Sequence, residues 1–261
     1  MSELSIGLKV AFAALCSTVL VAHATNTNIT SPNPASMGWF VGMQSGAFWA
    51  DLPSGLTVNN GAPYASPYNL DQYSLNDKTT ATLSLLAGYK WNTLNQWLPG
   101  YAVALNYQHF FANNVNGSIT QYSLPQFTNY NYSLDVNSDV FSLYSKFDLF
   151  HYARLIPFLD LGLGVAMNHA NSYGEIALPG VTPRESPRYR NHTESNFAYR
   201  LGFGVDYVIK PNLLVSLSYA YQDLGSVHSG NGVTTWSRER LQLGHYKGNS
   251  VNFGLTYGLN T

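Results

Sequence analysis

Residues 101–111 read Tyr-Ala-Val-Ala-Leu-Asn-Tyr-Gln-His-Phe-Phe. Tyr101, Val103, Leu105, Tyr107, His109 and Phe111 alternate with Ala102, Ala104, Asn106 and Gln108. A β-strand sends successive side chains to opposite faces, so a period of two sets one broad apolar face against one small, polar face. The alternation recurs over about 37–49, 80–91, 138–149, 156–169, 197–207, 213–222 and 251–259, making eight segments. In the first, Trp39, Val41, Met43, Ala47 and Trp49 oppose Gly38, Gly42, Gln44 and Gly46. In the last, Val251, Phe253, Leu255, Tyr257 and Leu259 oppose Asn252, Gly254, Thr256 and Gly258.

Composition decides what surrounds these strands. The 261 residues are 45% hydrophobic, 14% aromatic and only 10% charged, with net charge -1 and mean hydropathy -0.10. An ordinary soluble domain carries about 25% charged residues, so a water-facing surface is unexpected. The near-zero charge excludes a generally basic nucleic-acid binder, and no run of about 18 apolar residues offers a transmembrane helix. A soluble sandwich would charge its polar face; here that face is Gly, Ser, Thr, Ala and Asn, suited to a crowded interior. The opposite face is uncharged and tipped with aromatics, as in a barrel turned outward to lipid with aromatic girdles at both interfaces.

The connections support the same reading. Short links (92–98, 150–155 and 209–212) alternate with long ones rich in Asn, Ser, Tyr, Pro and Gly (50–79, 112–137, 170–194 and 223–249). The expected fold is therefore all-β, a transmembrane antiparallel up-and-down barrel of about eight strands, with short periplasmic turns and four long extracellular loops. Strands within 118–134 or 233–243 would raise the count to ten. Residues 1–24 read as a cleaved secretory signal, with Lys9, the apolar stretch Val10 to Val21 and the Ala22-His23-Ala24 cleavage site. Residues 25–36 are then a periplasmic lead-in and 37–261 the barrel. Cys16, the one cysteine, leaves with the signal, so the mature chain has neither a disulfide nor a thiolate ligand.

In these features the chain resembles the small outer-membrane barrels of the OmpA and opacity-protein type. Asn252, Gly254, Tyr257 and Leu259 stand at the polar, glycine, aromatic and hydrophobic positions of that family's C-terminal insertion signal. The family usually ends on an aromatic, whereas this chain ends Leu259-Asn260-Thr261. The resemblance implies partners in biogenesis, the barrel-assembly machinery and periplasmic chaperones. It also implies a monomer set among outer-membrane lipids and lipopolysaccharide.

Six charges fall on the inward face: Lys90, Lys146, Asp148, Asp160, Arg200 and Asp206. An eight-stranded barrel is just wide enough for side chains to fill, and a buried charge demands a partner. These residues are expected to form a hydrogen-bonded ion-pair plug toward the periplasmic half. In the loops, Arg184, Arg188, Arg190, Arg238 and Arg240 suit phosphate oxygens of lipopolysaccharide or an anionic host or phage surface. The expected role is structural or adhesin-like surface interaction through the outer loops. A narrow porin-like conduit for ions or small solutes is the alternative, and a lipid-modifying enzyme using rim histidines with a serine is a third. The His228-Ser229 neighbours point to opposite faces of a strand and do not by themselves make a dyad. No catalytic set, cofactor motif or metal-ligand spacing stands out.

Overall fold

The computed structural model describes residues 38–76, 79–93, 98–185, 188–236 and 238–259, so the signal and lead-in readings lie outside the described residues. Ten strands follow in order: β1 (Trp39–Ala50), β2 (Gly55–Asn59), β3 (Leu70–Ser74), β4 (Thr79–Asn92), β5 (Gly100–Thr120), β6 (Thr128–Asp148), β7 (Leu155–Ala177), β8 (His192–Lys210), β9 (Leu213–His228) and β10 (Gln242–Leu259). Eight of them close an antiparallel ring in the order β5-β4-β1-β10-β9-β8-β7-β6, with β6 pairing back to β5. The first and last ring strands seal it, in register from Trp39↔Leu259 to Ala50↔Gly248. Closure removes the free edges that an open sheet would leave unpaired.

The remaining pair, β2 and β3, is a hairpin within the first long connection. It adds to β5 above the point where β4 ends, through Gln72↔Thr120 and Tyr73↔Ile119. Gly117 makes this approach possible, since a Cβ there would stand 1.8 Å from the Ser74 carbonyl oxygen. The other long connections also contain less irregular chain than their composition suggests. β5 and β6 pair on to Thr120↔Thr128, and β6 and β7 to Tyr130↔Ala177. Residues 118–134 thus lengthen two ring strands, while 233–243 hold a single 3-10 turn at Thr234–Trp236 before β10 begins. The membrane-spanning ring therefore stays at eight.

The outward face carries a broad apolar belt. Along β7, Leu159, Leu161, Leu163 and Val165 are all exposed. The run from Pro157 to Met167 rises about 25 Å for a strand tilted by about 45°, the height of a bilayer's apolar band. At the short-turn end Trp39 packs edge-on against Tyr89, and Trp91 stacks on Tyr101, forming one aromatic girdle. At the other end the belt gives way to polar outward groups. Tyr107 and His109 both bond to Asp139, which is also 3.4 Å from His169, and His245 approaches Asp223.

The interior has two layers. Toward the short turns buried charges and small polar groups share it with a lesser apolar cluster that includes Phe40, Leu86, Tyr144 and Leu214. Toward the long loops it is a hydrophobic core that alternation alone does not foretell, containing Phe48, Phe110, Tyr73, Tyr132 and Tyr246, among others. Phe48 meets Phe110 and Tyr246 edge-on at 5.0 and 5.5 Å, contacts worth about 0.5–1.5 kcal/mol each beyond their burial. Aromatics assigned from composition to girdles and loops thus partly belong inside. A break in register between Phe110 and Asn113 of β5 adds to this core. The extra residue reverses parity, so Asn113, Val115 and Ile119 turn inward. Gly225, at φ 77°, marks a comparable break in β9, and a side chain there would also strike Asn196.

Candidate functional site

Three structural features bear on function: the filled lumen, the closure beneath the long loops, and the surface those loops present. In the lumen, all six inward charges lie in ion pairs. Lys90 Nζ is 2.6 Å from Asp148, Lys146 Nζ is 2.5 Å from Asp206, and Arg200 Nε is 2.8 Å from Asp160. Each acid lies essentially out of solvent, and Lys146 additionally sits 3.9 Å above the Phe158 ring. Two of the pairs lie close to ring neighbours: Lys146 stands opposite Asp160 on β7, and Asp160 opposite Gly202 on β8. Above them Asn106 donates to Ser142, and Gln222 and Asn252 both donate to Ser250. The space bounded by Asn106, Gln108, Ser142 and Arg200 is about 10 Å³, room for about one water molecule.

The long-loop end is closed by a knot around Arg184. Its Nη1 is 2.7 Å from Asp71 of β3, and its Nε is 3.3 Å from Glu175 of β7. The guanidinium also lies over the rings of Tyr130 and Trp236, at 4.8 and 5.3 Å. One side chain thereby brings all four long connections together. Burial works against its charge, but Glu175 and Asp71 outweigh that effect and raise its pKa. Burial likewise pushes the Tyr73 and Tyr189 hydroxyls above their usual range, so the knot carries no extra negative charge. This corrects the expectation that Arg184 faces external anions: its side chain is only 14% exposed and two carboxylates take it. Composition could not reveal this, because Asp71 lies 113 residues away.

The other four loop arginines, Arg188, Arg190, Arg238 and Arg240, are exposed. Two of them flank Asn231: its carbonyl accepts from the Arg190 amide, and its Oδ1 accepts from Arg240 Nε at 2.6 Å. On the outer wall of the β5–β7 extension lies an open groove of about 620 Å³, bordered by Ser74, Asn76, Asn116, Ser118, Asn131 and Ser133. Amide and hydroxyl groups both donate and accept, which suits ligands rich in hydroxyls.

The His228-Ser229 neighbours do not make a dyad. Ser229 Oγ donates to the Gly230 carbonyl and accepts from the Leu241 amide, so it is committed to the backbone beside His228. Another grouping does form. His192 and Glu194 of β8 meet His228 at the end of β9, with their ligand-type atoms within 4.8 Å of one another. His192-Thr-Glu194 was legible as two groups on one strand face, but no spacing rule links it to His228, 34 positions beyond Glu194.

The C-terminal residues singled out in sequence occupy the seam. Asn252 is buried in the lumen, Tyr257 and Leu259 are exposed on the apolar belt, and Gly254 pairs with Gln44 of β1.

A closed eight-stranded ring with an apolar outer belt, aromatic girdle and filled interior defines an integral outer-membrane β-barrel protein. Residues 35–258 match the outer membrane protein beta-barrel domain family, and the chain belongs to that family. A Rickettsia conorii protein named as a candidate adhesin is 27% identical over 104 residues, 39% of this chain and 40% of that protein, so the match spans about two-fifths of its length. Among solved structures, Neisserial surface protein A aligns with TM-score 0.48 at 12% identity, covering 85% of this chain and 97% of its own. OprG from Pseudomonas aeruginosa aligns with TM-score 0.48 at 12% identity, covering 87% and 100%. Ail, the attachment invasion locus protein of Yersinia pestis, aligns with TM-score 0.37 at 12% identity, covering 85% and 100%.

Proposed function

We propose that this outer-membrane barrel is a surface-interaction protein with a non-conducting lumen, and that its work is done by the wall extensions and loops outside the membrane. The observation that carries this reading is the filling of the interior: ion pairs toward the short turns, a cavity of about 10 Å³ above them, then a hydrophobic core capped by Arg184. A conduit has no use for such a core, whereas a rigid platform for loops does. The asparagine- and serine-lined groove and the four exposed arginines then offer complementary chemistry, hydroxyl-rich ligands for the first and phosphate or sulfate groups for the second. Lipopolysaccharide carries both, as do glycan-bearing host surfaces. The adhesin name of the Rickettsia conorii relative agrees with this reading. Assembly is proposed to proceed through the barrel-assembly machinery with the last strand as its signal, periplasmic chaperones carrying the chain there, and to yield a monomer.

The test is adhesion. The full chain displayed on a non-adherent Gram-negative host is expected to confer binding to cultured cells or immobilised lipopolysaccharide. A variant with the β2–β3 hairpin shortened and Arg188, Arg190, Arg238 and Arg240 replaced by Gln is expected to lose that binding while keeping heat-modifiable gel migration. Equal binding by both forms, or none by either, refutes the proposal.

A further inference from the structure

His192, Glu194 and His228 gather at the long-loop rim, apart from the lumen pairs and from the Arg184 knot. We propose that these three side chains form a binding site for a divalent transition-metal ion of the zinc type. Two imidazoles and a carboxylate are a donor set that zinc accepts, with a fourth position left for water or an external ligand. The donor atoms lie within 4.8 Å of one another. A tetrahedral ion with bonds of about 2.0–2.1 Å needs its donors about 3.3 Å apart, so binding draws the three side chains closer together.

The orientation of the groups favours the ion. His228 Nδ1 donates to the Ser229 carbonyl at 2.8 Å, which leaves Nε2 as the ring nitrogen turned toward Glu194. This is the outer-shell bond that metal-ligating histidines generally make. That Nε2 is 3.2 Å from Glu194 Oε2, and the same oxygen is buried without a hydrogen-bond donor. The His192 ring lies on that of His228, centroids 4.3 Å apart. The His228 and Glu194 side chains are 16% and 29% exposed, so an ion can enter from outside. Arg240 is the opposing influence, since its charge reaches His192.

The experiment uses the full chain, purified without a polyhistidine tag, folded in detergent and titrated with zinc chloride by calorimetry. Cobalt absorption serves as a second readout of coordination geometry. One zinc per chain is expected. His192→Gln, Glu194→Gln or His228→Gln each weakens binding about tenfold or more, with gel mobility certifying the fold. Removing the nearby positive charge in Arg240→Gln tightens binding. The double variant His109→Gln/His169→Gln, at the separate Asp139 cluster, leaves it unchanged. The proposal is overturned if the folded protein takes up no zinc, if binding survives His192→Gln/His228→Gln, or if it is lost with His109 and His169 instead.

Discussion

Replacing Arg200 with Met keeps much of the side chain's volume and removes its charge, leaving Asp160 without its ion-pair partner. Asp160 is wholly buried, and its carboxylate oxygens take Arg200 Nε at 2.8 Å and Nη2 at 3.5 Å. Breaking a buried pair by deleting one partner costs about 3–5 kcal/mol, whereas replacing both partners with apolar groups is often neutral or better. Arg200→Met is therefore expected to lower the unfolding free energy by about 3–5 kcal/mol, and Arg200→Met/Asp160→Leu to recover most of that loss. Urea titration of the refolded barrel in detergent, followed by tryptophan fluorescence and gel mobility, measures both. The two-state slope should stay constant across the series, because the surface exposed on unfolding barely changes. A single-variant loss below about 1 kcal/mol, or a double variant as unstable as the sum of the two singles, refutes the view that these charges sit as desolvated partners.

Arg184→Ala strands the buried side chains of Asp71 and Glu175. It should leave barrel migration unchanged while raising the rate of limited proteolysis in the first and third long connections by about tenfold or more, the effect of a local loss of at least 1.4 kcal/mol. Gly117→Val drives a side chain into the Ser74 carbonyl and should detach the β2–β3 hairpin, seen as new cleavage between residues 60 and 68 in an otherwise folded protein. His151, in the turn after β6, has its pKa lowered from 6.5 chiefly by burial. The unfolded chain thus binds a proton the folded turn resists, and stability should fall as pH drops below about 6.5. His151→Gln should flatten that part of the pH profile measured by urea titration.

Much of this architecture is legible in residues such as 101–111, because lipid on one side and crowding on the other leave period two as the only pattern that satisfies both. The same parity places Lys146 and Asp206 inside. It does not say that they meet, since the two lie 60 positions apart and their approach depends on the stagger of non-adjacent strands. The inward turn of Val115 and Ile119 escapes the pattern because a one-residue bulge leaves no mark in composition. At Gly225 and Gly244 the positive φ does leave one, as a glycine interrupting an otherwise regular strand. Arg184 misleads for a different reason: an arginine in a proline-flanked loop looks solvated until the distant carboxylates that bury it are placed. His192 and His228 likewise become a pair only through the neighbouring positions of β8 and β9 in the ring.

Planar-bilayer recording from the purified, refolded chain measures the filled lumen directly. With ion pairs at one level, space for about one water above them and a hydrophobic core beneath the Arg184 knot, the inserted protein should pass no steady current above the bare membrane. Stable, stepwise conductance that scales with salt and persists without applied denaturant would contradict the closed barrel and restore the conduit reading.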